Sequence, residues 1–305
     1  MLLAHSPIMR VMNVLIVGAT GFVGSAVDEA LKANGHRTFG VARSDSAREK
    51  LEKRGTTVVL GDAARPQTLA KAISSADAVV YAVNVTDADP WTVDNNALRQ
   101  IRKSLAGSEK TFVFVSCAWI YGSTGDVPVG EAAPISPPAL LIRRLELERL
   151  TIDMTRVGIR ALIVRGGIAY GNGGGIPSMF VQSARERGAA TIVGDGRNRW
   201  ATIDVHDLGR CIARAVETGR PGRAYNAVND DHFTVREIAE AGSRGAGAEG
   251  ATILVPPEIM GQYGECLALN QVISAERAKA DLGWQPEGPS IVRELEFGSY
   301  VTAFV

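Results

Sequence analysis

Three glycines at fixed spacing carry the clearest chemistry in this sequence. Val14, Leu15, Ile16 and Val17 run straight into Gly18, Gly21 and Gly24, and an amphipathic segment follows from Phe22 to Asn34. A short apolar run reads as a buried strand, and the glycines read as its turn into a helix. Gly18 permits a tight reversal, Gly21 lets backbone approach a pyrophosphate, and Gly24 lets helix and strand pack closely. The helix start offers free N–H groups and a partial positive charge, which suit an anion. With a strand before it and a helix after it, the motif predicts a nucleotide-binding turn.

The other reactive side chains are scattered. Cys117, Cys211 and Cys266 are odd in number and far apart, which argues against a disulfide framework or zinc site and fits a reducing cytoplasm. Cys117 has no histidine near it in sequence and reads as a small buried thiol. His206 lies in Asp204-Val205-His206-Asp207, a spacing that matches no metal-ligand pattern, so no metal is expected. Asp207 there suits a helix start. Arg185 to Arg187 read as a solvated helix face, and Trp200 and Trp284 as packing residues of a second lobe.

Bulk composition narrows the partners. Lys+Arg and Asp+Glu both number 33, so the formal net charge is zero. That balance leaves no electrostatic footprint for nucleic acid or an anionic membrane, and a small-molecule partner is expected instead. No apolar run reaches membrane-spanning length. Met1 to Val11 lack the charged start and long apolar centre of a secretion signal. They read as a loose extension, with Met9 and Met12 as alternative starts. The oligomeric state stays open between monomer and homodimer.

The elements that must position these residues alternate. Strands are expected at Thr38–Ala42, Thr57–Leu60, Ala78–Ala82, Thr111–Val115 and Arg160–Val164. Helices are expected at Ser46–Arg54, Pro66–Ser75 and Trp91–Leu105, and one long helix over Pro138–Val157. Such alternation implies right-handed crossovers and a parallel sheet covered on both faces. The second half is less regular. Gly171 to Gly175 read as a mobile connection, Ile176–Arg187 as a helix, and Thr191–Val193 as a strand. Ile203–Glu217 read as a strand end and helix returning to the main sheet. Thr234 followed by Glu237 is a capping-box signature, and a small α/β lobe follows Gly242. At 305 residues the chain holds about two domains, or one α/β unit with an appended lobe.

These landmarks, in this order, resemble the extended, epimerase/dehydratase-like branch of the short-chain dehydrogenase/reductase superfamily. They are Gly18 to Gly24, Gly61-Asp62, Val115-Ser116 with Ile120-Tyr121-Gly122, and Val164-Arg165 with Tyr170-Gly171. Trp200 to Leu208, Tyr225 to Glu237, and Leu282 to Pro286 complete the set. The resemblance implies a Rossmann-type, doubly wound α/β fold with a smaller, discontinuous C-terminal α/β lobe. Residues 11–175 and 197–228 would bind a nicotinamide dinucleotide, and 176–196 and 229–305 would shape a substrate cleft. It places Gly18, Thr20, Gly21, Phe22, Val23 and Gly24 at the pyrophosphate, and Asp62 with Ala63 at the adenine. Ala82, Val83, Ser116, Arg144 and Gly167 would lie along the remainder of the cofactor.

Cofactor choice follows from charge. An NAD-preferring site places an acid after the second strand to grip the ribose hydroxyls. Here that strand ends Val41-Ala42-Arg43-Ser44. Arg43 offers a planar fork to a 2′-phosphate and Ser44 a hydroxyl donor, so NADP(H) is expected.

The family's acid/base pair is absent. Relatives with ordinary chemistry carry Tyr-x-x-x-Lys on the helix after the fifth strand, where residues four apart share one face. No Tyr-x-x-x-Lys occurs in this chain; the resemblance puts Leu140 and Arg144 at those positions and keeps the serine as Ser116. Leu140 has no proton to exchange. Arg144 can hold ribose hydroxyls, but with a pKa above ~12 it is a fixed charge. Three readings follow: an atypical NADPH-dependent reductase of a carbonyl or activated alkene, a non-catalytic NADP(H)-binding redox sensor, or a nucleotide-sugar epimerase/dehydratase. In the first, Ser116 binds the substrate oxygen, and the acid is Tyr121, Tyr170 or the substrate itself.

Overall fold

The computed structural model describes residues 10–85 and 89–302. Apart from Arg10 and Val11, the expected N-terminal extension lies outside the described residues.

The first half alternates strictly: β1 (Asn13–Val17), α1 (Phe22–Ala33), β2 (Arg37–Ala42), α2 (Asp45–Lys53), β3 (Thr57–Leu60), α3 (Ala70–Ser75), β4 (Ala78–Tyr81), α4 (Pro90–Leu105), β5 (Thr111–Cys117), α5 (Ile142–Asp153) and β6 (Arg160–Gly166). The second half holds β7 (Ile168–Gly171), β8 (Gly174–Gly175), α6 (Ser178–Arg187), β9 (Ala190–Val193), β10 (Thr202–Asp204), α7 (Val205–Thr218) and β11 (Ala224–Ala227). It ends with α8 (Val235–Gly245), β12 (Thr252–Val255), α9 (Gly261–Leu267), α10 (Glu276–Leu282), α11 (Ile291–Phe297) and α12 (Ser299–Thr302).

Seven strands form one sheet in the order β3-β2-β1-β4-β5-β6-β11, every neighbouring pair parallel. This is a Rossmann-type sheet. Its central strand explains the two-sided cover. Val14 and Ile16 of β1 pack with α1 and α7 through Val27, Leu31 and Ile212. Leu15 and Val17 point the other way, toward α3 and α4 through Ile73, Leu98 and Ile101. Each such side chain, taken fully out of water, contributes about 1.5–3 kcal/mol before the entropy of ordering it.

The seventh strand has no sequence signal of its own. β11 is four residues long, occupies the edge beside β6, and carries the polar Asn226 in its middle.

Three further expectations change. The segment 138–157 is not one helix: a 3₁₀ turn at Ala139–Leu141 precedes α5, and another at Met154–Val157 follows it. Pro137 and Pro138 hold the chain extended until Leu141 donates back to the Pro138 carbonyl. The glycine-rich stretch is an ordered hairpin, β7 paired with β8. A Cβ at Gly174 would meet the Phe22 ring at 2.9 Å, so glycine is what lets the hairpin lie on α1. The segment from Ile203 also divides: α7 returns to the main sheet, but β10 pairs with β7 instead, because β11 already takes the free edge of β6.

The lobe has its own core around Phe180, Trp200, Ile238, Leu267 and Tyr300. β9 and β12 form a short parallel pair there, and Thr234 with Glu237 closes a full capping box on α8. Trp200 packs in this lobe against Phe180. Trp284 does not: it joins the main core and donates to the Asp207 carbonyl.

Packing at the α1 start leaves no room for a side chain. A Cβ at Gly24 would stand 2.0 Å from the Gly18 carbonyl oxygen. Gly24→Ala should therefore destabilise the chain by about 1–3 kcal/mol, whereas the exposed change Lys53→Ala stays within about 0.5 kcal/mol. Urea unfolding midpoints of the two variants check this; equal midpoints would contradict the packing.

Candidate active site at the carboxyl ends of the sheet

The glycine turn is built by backbone contact. Gly18 adopts φ +96°, and a Cβ there would lie 2.4 Å from the Ala82 carbonyl oxygen, so the turns after β1 and β4 touch. Gly21 takes the cap position of α1, and no side chain closes the first turn of amides. At Gly21 a Cβ would meet only the Gly18 oxygen, at 3.2 Å. Thr20, Phe22 and Val23 are half-buried around this uncapped helix start. A pyrophosphate fits such a cradle, since the free amides and helix dipole both favour an anion.

The other expected residues stand at the same edge of the sheet. Arg43 is exposed directly after β2, and Ser44 caps α2 by accepting from the Ala47 amide at 3.3 Å. Asp62 and Ala63 are half-buried after β3; Asp62 accepts from the Ala64 amide at 3.0 Å. Ala82 and Val83 follow β4, Ser116 sits near the end of β5, and Gly167 follows β6. A Cβ at Gly167 would lie 2.6 Å from the Ala201 carbonyl oxygen, so its backbone runs against the strand that begins at Thr202. Open parallel sheets bind ligands at this end of their strands. Arg54, which no motif singles out, reaches from beyond α2 to the Ala19 carbonyl at 3.3 Å.

Ser116 is buried, and among the described residues its Oγ has no hydrogen-bond partner. A buried polar atom left this way is costly unless a ligand completes it. Arg144 comes from the second residue-pair position on α5 and is anchored on three sides. It donates to the Val115 carbonyl, lies 4.8 Å over the Phe114 ring, and stands 3.7 Å from Asp94. Its Nε is buried without a partner among the described residues. Asp94, on α4, accepts from the Tyr81 hydroxyl at 2.6 Å. Burial pushes the Asp94 carboxyl up, against the Tyr81 hydrogen bond and the Arg144 charge, which favour its ionised form.

Neither expected phenol is placed to give up a proton. Tyr121 is 2% exposed; its hydroxyl donates to Asn226 Oδ1 at 2.8 Å and accepts from Arg165 at 2.7 Å. Burial pushes its pKa up. Tyr170 is fully buried, donating to the Pro289 carbonyl and accepting from Asn229, both at 2.6 Å. The Tyr121 hydroxyl, expected as a candidate acid, directs its proton to Asn226 inside the fold.

The cleft face beyond Ser116 is apolar. Trp119 meets the Tyr263 ring edge-on at 5.8 Å, and Tyr263 comes from α9 in the lobe. The same helix packs on the turn carrying Leu140, which is 45% exposed, as is Met260 at 38%. Cys117 is half-buried, and burial pushes its thiol up, so it is no activated nucleophile. His206 is held by Asn172 and Glu29, while Asp204 caps α7 and the buried Asp207 accepts from the Glu287 and Gly288 amides.

The family model described as "NAD dependent epimerase/dehydratase family" matches residues 14–228. The chain belongs to this family. An uncharacterized protein of Schizosaccharomyces pombe is 26% identical over 95% of this chain and 100% of its own. A 3-diazoavenalumate denitrifying reductase of Streptomyces is 26% identical over 92% of this chain and 97% of its own. Among solved structures, a dTDP-glucose 4,6-dehydratase of Streptomyces venezuelae with NAD bound superposes with a TM-score of 0.80. It is 20% identical and covers 96% of each chain. The chain is therefore an extended short-chain dehydrogenase/reductase in fold, from a family of nicotinamide-cofactor proteins.

In this epimerase/dehydratase-family member, the residue four beyond Arg144 has a structural task. Glu148 takes the Arg165 guanidinium through both carboxylate oxygens, at 2.7 and 3.2 Å, and Arg165 passes a hydrogen bond to Tyr121. Both members of the ion pair are buried. A groove of about 540 Å³ opens nearby between α5, β6 and β11, but the charges on its floor are already paired, Glu148 with Arg165 and Glu131 with Arg277. Glu148→Ala should cost about 3–5 kcal/mol, because it strands a buried guanidinium. Tyr121→Phe should cost about 1–3 kcal/mol and leave dinucleotide affinity unchanged. Denaturant titrations with and without cofactor check both; a Tyr121→Phe variant of full stability and lost affinity would contradict this placement.

Proposed function

We propose that this chain is an atypical NADPH-dependent oxidoreductase that reduces a carbonyl or activated alkene of a small organic molecule. The observation that carries the reading is Ser116: a buried hydroxyl with no partner among the described residues, at the strand end beside the glycine turn and three residues before the apolar Trp119. Bound there, a reduced nicotinamide supplies hydride to an acceptor carbon. The chain's own residues bind and orient. Gly18, Thr20, Gly21, Phe22, Val23 and Gly24 would hold the pyrophosphate, and Asp62 with Ala63 the adenine. Ala82, Val83 and Gly167 would border the nicotinamide half. Arg144, fixed by Val115 and Asp94, would hold the ribose through its unpartnered Nε. Ser116 would hydrogen-bond the substrate oxygen. In this reading residues 11–175 and 197–228 carry the cofactor, and 176–196 and 229–305 shape the substrate cleft.

Preference for the phosphorylated cofactor rests on charge. Arg43 and Ser44, not an acid, stand at the end of β2; the first carboxylate, Asp45, opens α2. Arg54 adds a second guanidinium at the glycine turn, through Ala19. The relative named as a reductase supports reductive chemistry; the relatives named as epimerases and dehydratases support sugar-nucleotide chemistry. The latter needs a base to remove a hydroxyl proton, and Leu140 with the enclosed Tyr121 and Tyr170 offers none. The second reading, an NADP(H) sensor without turnover, is favoured by that same loss at Leu140. No helix among the described residues is long and apolar enough to cross a membrane.

NADPH is expected to bind at least tenfold more tightly than NADH. Arg43→Ala should weaken NADPH about 10–100-fold, the range for one charge-assisted contact, and leave NADH nearly unchanged. Fluorescence titration measures all four constants, and equal affinities for the two cofactors would overturn the NADP(H) assignment. Consumption of NADPH across ketones, aldehydes, quinones and enones separates enzyme from sensor; silence across the panel supports the sensor.

A further inference from the structure

The chain has six tyrosines, and five of them are enclosed. Tyr81 is bound to Asp94, Tyr121 to Asn226 and Arg165, and Tyr170 to Pro289 and Asn229. Tyr225 lies between the Arg220 amide and Asp281, and Tyr300 between Gly171 and Gly174. Tyr263 differs. It is 37% exposed, and among the described residues its hydroxyl has no hydrogen-bond partner.

Its surroundings put it at the candidate site. Trp119, whose ring it meets, is three residues beyond Ser116 on the same strand-end turn. Cys266 is three residues further along α9, on the same helix face, and is buried. The helix also packs on the Leu140 turn. The Trp119 ring contact, with α9 packed on the 139–141 turn, thus brings Tyr263 toward the end of β5 and the position where the resemblance puts a tyrosine and this chain has Leu140. The far end of α9 is fixed: the Leu267 carbonyl accepts from Trp200 at 2.8 Å and from Asn198 at 3.0 Å.

We propose that Tyr263, delivered by the C-terminal lobe, is the proton donor for reduction of a carbonyl compound bearing an apolar or aromatic group. The assignment rests on the reductase reading above. Hydride adds to the carbonyl carbon, and the C=O π pair moves onto oxygen, which Ser116 hydrogen-bonds. The Tyr263 O–H bond breaks, its proton goes to that oxygen, and its bonding pair stays as phenolate. Water then reprotonates the half-exposed phenolate, so the balance is one hydride and one solvent proton per alcohol formed. Trp119, Leu140 and Met260 give the acceptor's apolar group its surface. Burial, with Cys266 beside it, pushes the Tyr263 pKa up, so the phenol holds its proton at neutral pH, and the alkoxide formed by hydride addition, the stronger base, takes it.

Tyr263→Phe tests the assignment on the full chain, with benzaldehyde, acetophenone and 1,4-naphthoquinone as probes. General acid catalysis contributes about 10²–10⁴-fold, so kcat for the carbonyl probe used by the parent should fall at least 100-fold. NADPH affinity and KM should stay within threefold. In the cofactor-free protein, ultraviolet difference titration should show one accessible phenol ionising above about 10, the ordinary tyrosine value, and absent from the variant. Activity retained within threefold, or a titration identical in both proteins, overturns the role of Tyr263 and leaves the reductase reading standing. No NADPH oxidation by the parent chain with any carbonyl overturns both.

Discussion

The structure depends on one place where backbone meets backbone with no room for a side chain. Gly18 lies against the Ala82 carbonyl and Gly24 against the Gly18 carbonyl, at distances that exclude even a methyl group. That contact brings the first turn of α1 down onto the sheet and joins the ends of β1 and β4. It leaves Gly21 at an uncapped helix start. A side chain at either contact would lift the helix and move its amides away from the crevice. The anion site is thus a consequence of packing, and packing limits what the sequence can place there.

Most of this frame is legible in the sequence because it is repetitive and local. Six strands and four helices announce themselves through apolar runs and glycine punctuation, and the capping box at Thr234 through two residues alone. The failures share a cause. β11 is short, polar in the middle and stabilised by its neighbour β6. The Gly171–Gly175 hairpin reads as loose until the Phe22 ring occupies the space that side chains would need. Trp284 belongs to the main core because Asp207, far away in sequence, presents a carbonyl to it. Each is decided by a contact over long separation, which periodicity does not record.

The candidate site divides the same way. Residues on strand ends, from Arg43 to Ser116, are legible because the parallel sheet fixes where strand ends go. Tyr121 is not, since its enclosure depends on Arg165, Glu148 and Asn226 from three separate elements. Nothing in Gly261-Gln262-Tyr263-Gly264 marks a functional helix either. Its place follows from Trp119 on one side and from Trp200 and Asn198 on the other.

In the proposed reading, Leu140 and Arg144 at the positions where the resemblance puts a tyrosine and a lysine also change how positioning and proton transfer are related. In a tyrosine–lysine pair, one helix carries both groups, and the lysine charge lowers the phenol's pKa toward a value that works in either direction. Here the cation is tied to Val115 and Asp94 on the sheet side of α5, while Tyr263 stands on α9 with a raised pKa. Without an adjacent ammonium such a phenol stays protonated at neutral pH: it holds a proton that an alkoxide, the stronger base, can take, but offers little phenolate to remove one. A site built this way favours protonating a developing alkoxide over removing a proton from an alcohol. Reduction, rather than the reversible oxidation that epimerases need, is the chemistry such a division of labour suits.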